Sequence, residues 1–206
     1  RRFGGGVDML GRFGVSVCVE EPLVMVAERG TPEEGTRGED MEEAILNAIV
    51  LGDLRTFDQD PRFGLMVMGE VASKALSPGV NDPGTAIDVI TRVGRILSYY
   101  SVETRGGGEV ALPHLHMTPL SAEGLVEDGF AALARDGASV VEVQMCLQDV
   151  LAGLMHHPDK GLAAAARGAA ETHLRRAFEA VPFGPDRARI WNAACEEVRA
   201  VVDSPE

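Results

Sequence analysis

Polar residues able to bind or transform a ligand gather at two points in the chain. Arg55, Asp58, Gln59 and Asp60 stand just before one apolar-periodic stretch. Ser77, Asn81, Asp82 and Thr85 stand just before the next. Free backbone N–H groups at a helix start can hold an anion, and Thr85 would add a hydroxyl there. A metal on Asp58, Asp60 or Asp82 is a weaker variant, because no established ligand spacing is present. Both clusters also read as architecture. Asp60-Pro61 and Asp82-Pro83 each pair a cap with a proline in the first helical turn. Ser77-Pro78-Gly79 is a turn, Asn81 can bond the loop backbone, and Arg55 can pair with Asp58 or Asp60. The architectural reading accounts for most of these residues. The candidate ligand-binding set is Arg55, Gln59, Asp60, Ser77, Asn81, Asp82 and Thr85. If the two helices that follow are antiparallel neighbours, their leading loops lie at opposite ends, roughly 20 Å apart for about 15 residues.

Other candidates are thinner. His114 and His116 share one face of an extended segment, but no Cys or carboxylate is spaced to complete a metal site. His156-His157 before Pro158 fits a helix C-terminus, where the dipole favours His. Ser77 lies in no GxSxG elbow and has no evident base. Cys146 falls beside an apolar helical stripe and reads as a buried thiol. Gly106 to Gly108 follow no clear strand and open no helix, so they are not a nucleotide fingerprint. No catalytic set emerges. The reading leans away from an enzyme, with no cofactor and no metal expected.

The elements that carry these residues follow from periodicity. Val15 to Glu20 and Leu23 to Glu28 read as two short strands around Glu21-Pro22, and 29–40 as a loop. A helix capped by Asp40 runs from Met41, with Ala44, Ile45, Ala48 and Ile49 on its apolar face, and stops near Gly52. A second starts at Pro61, with Phe63, Val67, Val71 and Leu76, and Met66 nearby, on its apolar side, and ends near Ser77-Pro78-Gly79. A third starts at Pro83, with Ala86, Ile87, Ile90, Val93, Gly94 and Leu97 inward. Residues 109–117 read as extended, with room for a short strand. Further helices run from Ser121 to Gly137, from Ser139 to Pro158, from Leu162 to Val181 and from Asp186 to Val202. The expected fold is α+β and mostly α-helical, with about six helices and a small N-terminal β element. Residues 1–40 form a juxtamembrane segment with the β element, and 41–206 a helical soluble domain.

Composition bounds the partners. The 206 residues carry a net charge of −13, and seven carboxylates fall between Glu28 and Glu43. Nucleic acid is disfavoured, because phosphate contacts need Lys and Arg. Cys18, Cys146 and Cys195 are too few for a disulfide framework and suit a reducing compartment. No apolar run approaches the roughly 18 residues of a spanning helix, and no signal peptide is visible. The first residue is Arg1, so the chain reads as cut from something longer.

The runs RTFDQDPRFGL and ALSPGVNDPGTAIDVI resemble the signature of a bacterial family of predicted integral membrane proteins, domain of unknown function 2254. In that family an RT-x-x-QD run precedes a helix and an ALSP-G/A-x-NDP-x-TA run follows it. Arg55, Thr56, Gln59, Asp60, Ala75, Leu76, Ser77, Pro78, Asn81, Asp82, Pro83, Thr85 and Ala86 fit those positions. The family's longer upstream β segment is answered here only by EEPLVMV. The resemblance implies transmembrane helices before this region, hence attachment to the cell membrane through segments absent from this chain. Arg1, Arg2 and Arg12 then fit a cytoplasmic side. The resemblance supplies no activity. Assembly, gating or regulation is the expected role, with a homo-oligomer packed through the Ala-rich face of Ala163 to Ala170. An anion, metal or enzymatic module around Asp60 and Asn81-Asp82 is the alternative.

Overall fold

Several helices in this chain begin at a short polar side chain that accepts from the first-turn backbone, at Asp60, Asp82, Ser121 and Asp159. A computed structural model describes residues 6–10, 16–18, 20–27, 37–58, 60–100 and 115–203. Its elements are β1 (Gly6–Met9), β2 (Val24–Ala27), α1 (Arg37–Ala48), α2 (Pro61–Ala75) and α3 (Pro83–Ser98). They continue as β3 (Leu115–Met117), α4 (Ala122–Asp136), α5 (Val141–Met155), α6 (Lys160–Ala180), α7 (Gly184–Ala193) and α8 (Glu196–Arg199). The fold is α+β and mostly helical, with a small sheet fed from the N-terminus. The chain divides into two compact units, Arg1–Phe63 with Gly108–Pro119, and Gly64–Gly107 with Leu120–Glu206.

The first unit holds a three-stranded sheet in the order β2-β1-β3. β1 pairs antiparallel with β2, Val7 opposite Val26, and parallel with β3, Val7 opposite Leu115. The strand expected at Val15 to Glu20 is absent from the described part of that stretch. The Cys18 amide donates instead to Glu21 Oε2 at 2.9 Å, and Glu20 turns the chain at φ 69°. β2 lies where Leu23 to Glu28 reads as a strand, but its partner β1 carries only GVDM, too short to signal. α1 starts at Arg37, so Asp40 lies inside the helix and is not its cap. None of its described side chains is buried, and Leu46, Val50, Leu51, Leu54 and Phe57 in and after it stand exposed.

The second unit is a helical bundle centred on α5, which packs on α3, α6 and α7. Phe130, Ile90, Leu133, Leu147, Leu151, Leu162 and Leu174 are among its fully buried side chains. Each such burial is worth about 2 kcal/mol. Ser121 Oγ accepts from Gly124 N at 3.1 Å and caps α4; buried Asp159 accepts from Leu162 N at 2.9 Å and caps α6. α5 starts at Val141 with no side-chain cap, so Ser139 does not open it. The last helix is two, α7 and α8, because Ala194 turns extended at ψ 142°. α3 buries Ala86, Val89, Ile90, Val93, Gly94 and Leu97, close to the expected stripe. α2 does not bury the expected Val67 and Val71. It buries Leu65, Gly69, Ala72 and Ala75, and Gly69 meets the α4 backbone. The main partners of α3 are α5 and α4, not α2 as antiparallel neighbours.

Candidate functional site

The polar signature residues fall into both units and are bonded locally. In the first unit, Asp60 is buried and its Oδ2 accepts from Arg55 Nε at 2.9 Å and Nη2 at 2.5 Å. Asp60 Oδ1 accepts from Phe63 N at 3.2 Å, the cap of α2. The Arg55 guanidinium lies 5.0 Å from the Phe63 ring centroid, which also stacks on Phe57. Asp58 is exposed. Gln59 lies outside the described residues.

In the second unit, Asp82 caps α3. Its Oδ1 accepts from Thr85 N at 3.1 Å and its Oδ2 from Thr85 Oγ1 at 2.5 Å. The Thr85 hydroxyl, then its amide, hold the Asp82 carboxyl below the ordinary carboxylate value. That carboxylate sits where an anion would approach the helix start. Ser77 Oγ donates to Lys74 O at 2.7 Å, and Asn81 N donates to Ser77 O at 2.8 Å. Asn81 takes φ 50°, a left-handed turn that Asn tolerates better than most residues. Asp82 N donates to Ala75 O at 2.8 Å, tying the loop to the end of α2. Ser77, Asn81, Asp82 and Thr85 therefore form one loop that bonds to itself and to its flanking helices.

The other candidates resolve similarly. His157 Nδ1 accepts from Asp159 N at 3.0 Å, which leaves Nε2 to donate to Ser98 O at 3.3 Å. Burial pushes the Cys146 thiol up, as suits an unreactive cysteine. His116 is exposed on β3; His114 and Gly106 to Gly108 lie outside the described residues. Among the described residues no group of three His, Cys, Asp or Glu side chains could hold a metal ion.

The second unit has a feature that the polar motifs do not mark. An open groove of about 920 Å³ runs between α2, α4 and α6. Ala131, Ala164, Ala165, Gly168 and Ala169 give it a floor of small apolar side chains. The Ala-rich run of α6 is thus divided, with Ala166 and Ala170 in the core and Ala165 and Ala169 in the groove. Glu70, Glu123 and Glu127 line it as exposed carboxylates, and no ion pair to them occurs among the described residues. His173, 6 % exposed, also lines it; its Nδ1 is buried without a hydrogen-bond partner. Burial, then the nearby Arg176 charge, push the His173 imidazole down to about 4. Sequence reasoning missed His173, which sits in the polar run ETHLRR. It also missed Gln144 and Gln148, fully buried on α5. Gln144 Nε2 donates to Gly137 O at 3.0 Å, and Gln148 Nε2 to Ala170 O at 3.1 Å. Their spacing of four, in line with Leu147 and Leu151, was the available signal.

The family described as "Predicted membrane protein (DUF2254)" matches residues 1–153. The chain belongs to this family. The match takes in the Arg55–Ala86 signature and ends within α5. A stretch of 70 residues is 43 % identical to uncharacterized proteins of Mycobacterium bovis and of two strains of Mycobacterium tuberculosis. It covers 34 % of this chain and 13 % of each relative, so the match spans a small part of those proteins. No solved structure matches the chain significantly. Among the described residues of this family member, no helix is long and apolar enough to cross a membrane.

Proposed function

We propose that the chain is the part of a membrane protein that works through contacts with other polypeptide segments, in assembly, gating or regulation. The observation that carries this reading is the groove between α2, α4 and α6, whose floor of small apolar residues about four turns long lies open between charged side chains. The signature residues supply caps and turns in the same reading. Arg55 and Asp60 fix the entrance of α2, and Ser77, Asn81, Asp82 and Thr85 fix the turn into α3. Self-association belongs to this reading too, supported by the exposed apolar side chains from Leu46 to Phe57. The domain lies on the cytoplasmic side of the membrane, as Arg1, Arg2 and Arg12 favour.

Thermal-shift screening with phosphate, nucleotides and divalent ions tests the reading against a ligand-binding or enzymatic one. No stabilisation is expected from any of them. A rise in melting temperature that wild type shows and Asp82→Ala lacks would overturn it. Sedimentation velocity over a range of concentrations tests self-association, and strictly monomeric behaviour at high concentration removes that part.

A further inference from the structure

The groove has a shape, a charge and one unmet hydrogen bond. On α6, Gly161, Ala165 and Ala169 recur every four residues, as do Ala164, Gly168 and Thr172. Two such rows bound a furrow of the kind that accepts the ridge of another helix. A Cβ built at Gly168 meets nothing within 4 Å, so no neighbour fills that position. The lining residues Gly161 to Arg176 extend about 22 Å along the helix, or about four turns. The acid side chains Glu70, Glu123 and Glu127 stand along the sides unneutralised by any ion pair among the described residues. Of the two arginines in the lining, Arg135 is already paired with Asp136. His173 lines the same groove, 6 % exposed, with its Nδ1 buried and without a hydrogen-bond partner.

We propose that this groove is the docking site of a cationic amphipathic helix of about four turns, supplied by a partner protein. Its apolar face lies on Ala164, Ala165, Gly168 and Ala169, and its Lys or Arg flanks reach Glu70, Glu123 and Glu127. The proposal rests on the contact reading above and names the chemistry of the partner. A second copy of this chain is a poor occupant. It brings the same unpaired carboxylates on a chain of net charge −13.

Fluorescence anisotropy with a labelled peptide of about 16 residues, Ala and Leu on one face and Lys on both flanks, tests it. A peptide with the same apolar face and Glu flanks is the control. The Lys-flanked peptide is expected to bind about tenfold more tightly or better, with the preference shrinking as salt rises. Gly168→Leu fills the groove and is expected to abolish binding. Glu70→Gln with Glu127→Gln, both exposed, is expected to weaken it without altering the melting curve. Equal binding of the two peptides, undiminished binding after either change, or no binding at all overturns the proposal. Loss of self-association in Gly168→Leu also overturns it, by making the groove a contact between copies. Failure of the peptide with no stabilisation in the ligand screen leaves the contact reading standing and removes only its cationic partner.

Discussion

His173 is nearly enclosed, yet it is a group that water would protonate near pH 6.5. Burial opposes that charge first and Arg176 second, so the folded value falls to about 4. Above pH 6.5 both folded and unfolded states are neutral and the group adds no pH-dependent term. As pH falls, the unfolded chain takes up a proton that the folded chain refuses, and stability declines until about pH 4. The loss amounts to something on the order of 3 kcal/mol. Urea unfolding of wild type and His173→Leu at pH 7 and pH 4.5 checks this; the variant should lack that component of the pH dependence. Other groove groups, Glu70, Glu123, Glu127, Asp128, Arg135 and Arg176, are common to both proteins and cancel. Asp82 makes the opposite kind of claim. If its work is to cap α3, Asp82→Ala lowers the melting temperature at pH 7, and Asp82→Asn, which can still accept from the Thr85 amide, recovers most of the loss. Equal melting of both variants would remove the capping role. The cap was readable in the sequence because Asp-Pro is a local signal, carried by adjacent residues. His173 was not, because the helices that α6 packs against, α4 among them, are brought to it by the fold, and no local spacing records that.

At the scale of the helix, close approach is set by residues that add little hydropathy. A Cβ on Gly129 would sit 2.6 Å from Val93 Cγ1, and one on Gly69 would sit 3.2 Å from the Asp128 carbonyl oxygen. A Cβ on Gly94 would overlap Val150 Cγ1. These crossings need glycine for space. Gly129→Ala is expected to cost about 1–3 kcal/mol in denaturant unfolding, as overpacking does. Gly168→Ala meets no neighbour and should gain up to about 1 kcal/mol from helix propensity. If both changes move the midpoint the same way, the crossing is not what holds glycine at position 129. The same physics explains the misread face of α2. Ranking by hydropathy turns Val67 and Val71 inward. Packing instead turned Gly69 and Ala72 inward, because a small face lets α2 reach the backbone of α4. The α3 stripe was legible because large aliphatic residues fill it, and size and hydropathy then agree. The break between α7 and α8 was not, since neither Ala194 nor Cys195 is a helix breaker.

Across the whole molecule, buried apolar surface is unevenly shared. The hydrophobic core cluster draws its buried members from Leu65 to Val202 and so belongs to the second unit. In the first unit α1 contributes no buried side chain among its described residues, and the sheet has strands of three and four residues. Sheets this small are marginal alone. The Arg55–Asp60 pair fixes one loop, but a salt bridge with a partly exposed arginine holds geometry more than it adds stability. The mostly helical class and the small β element were legible from periodicity. The sharing of stability was not, because it depends on which faces find partners. Native-state hydrogen exchange measures that sharing directly. Amides of α4, α5 and α6 should open only with global unfolding, whereas those of α1 should exchange orders of magnitude faster, at a free energy near zero. Replacing the core residue Leu147 with Ala should cost about 2–5 kcal/mol and lower protection in the three bundle helices together. It should leave α1 unchanged, because α1 opens without disturbing that core. Protection of α1 that fell in step with the bundle would mean the two units unfold as one, and the stability of the first would then have to be credited to the second.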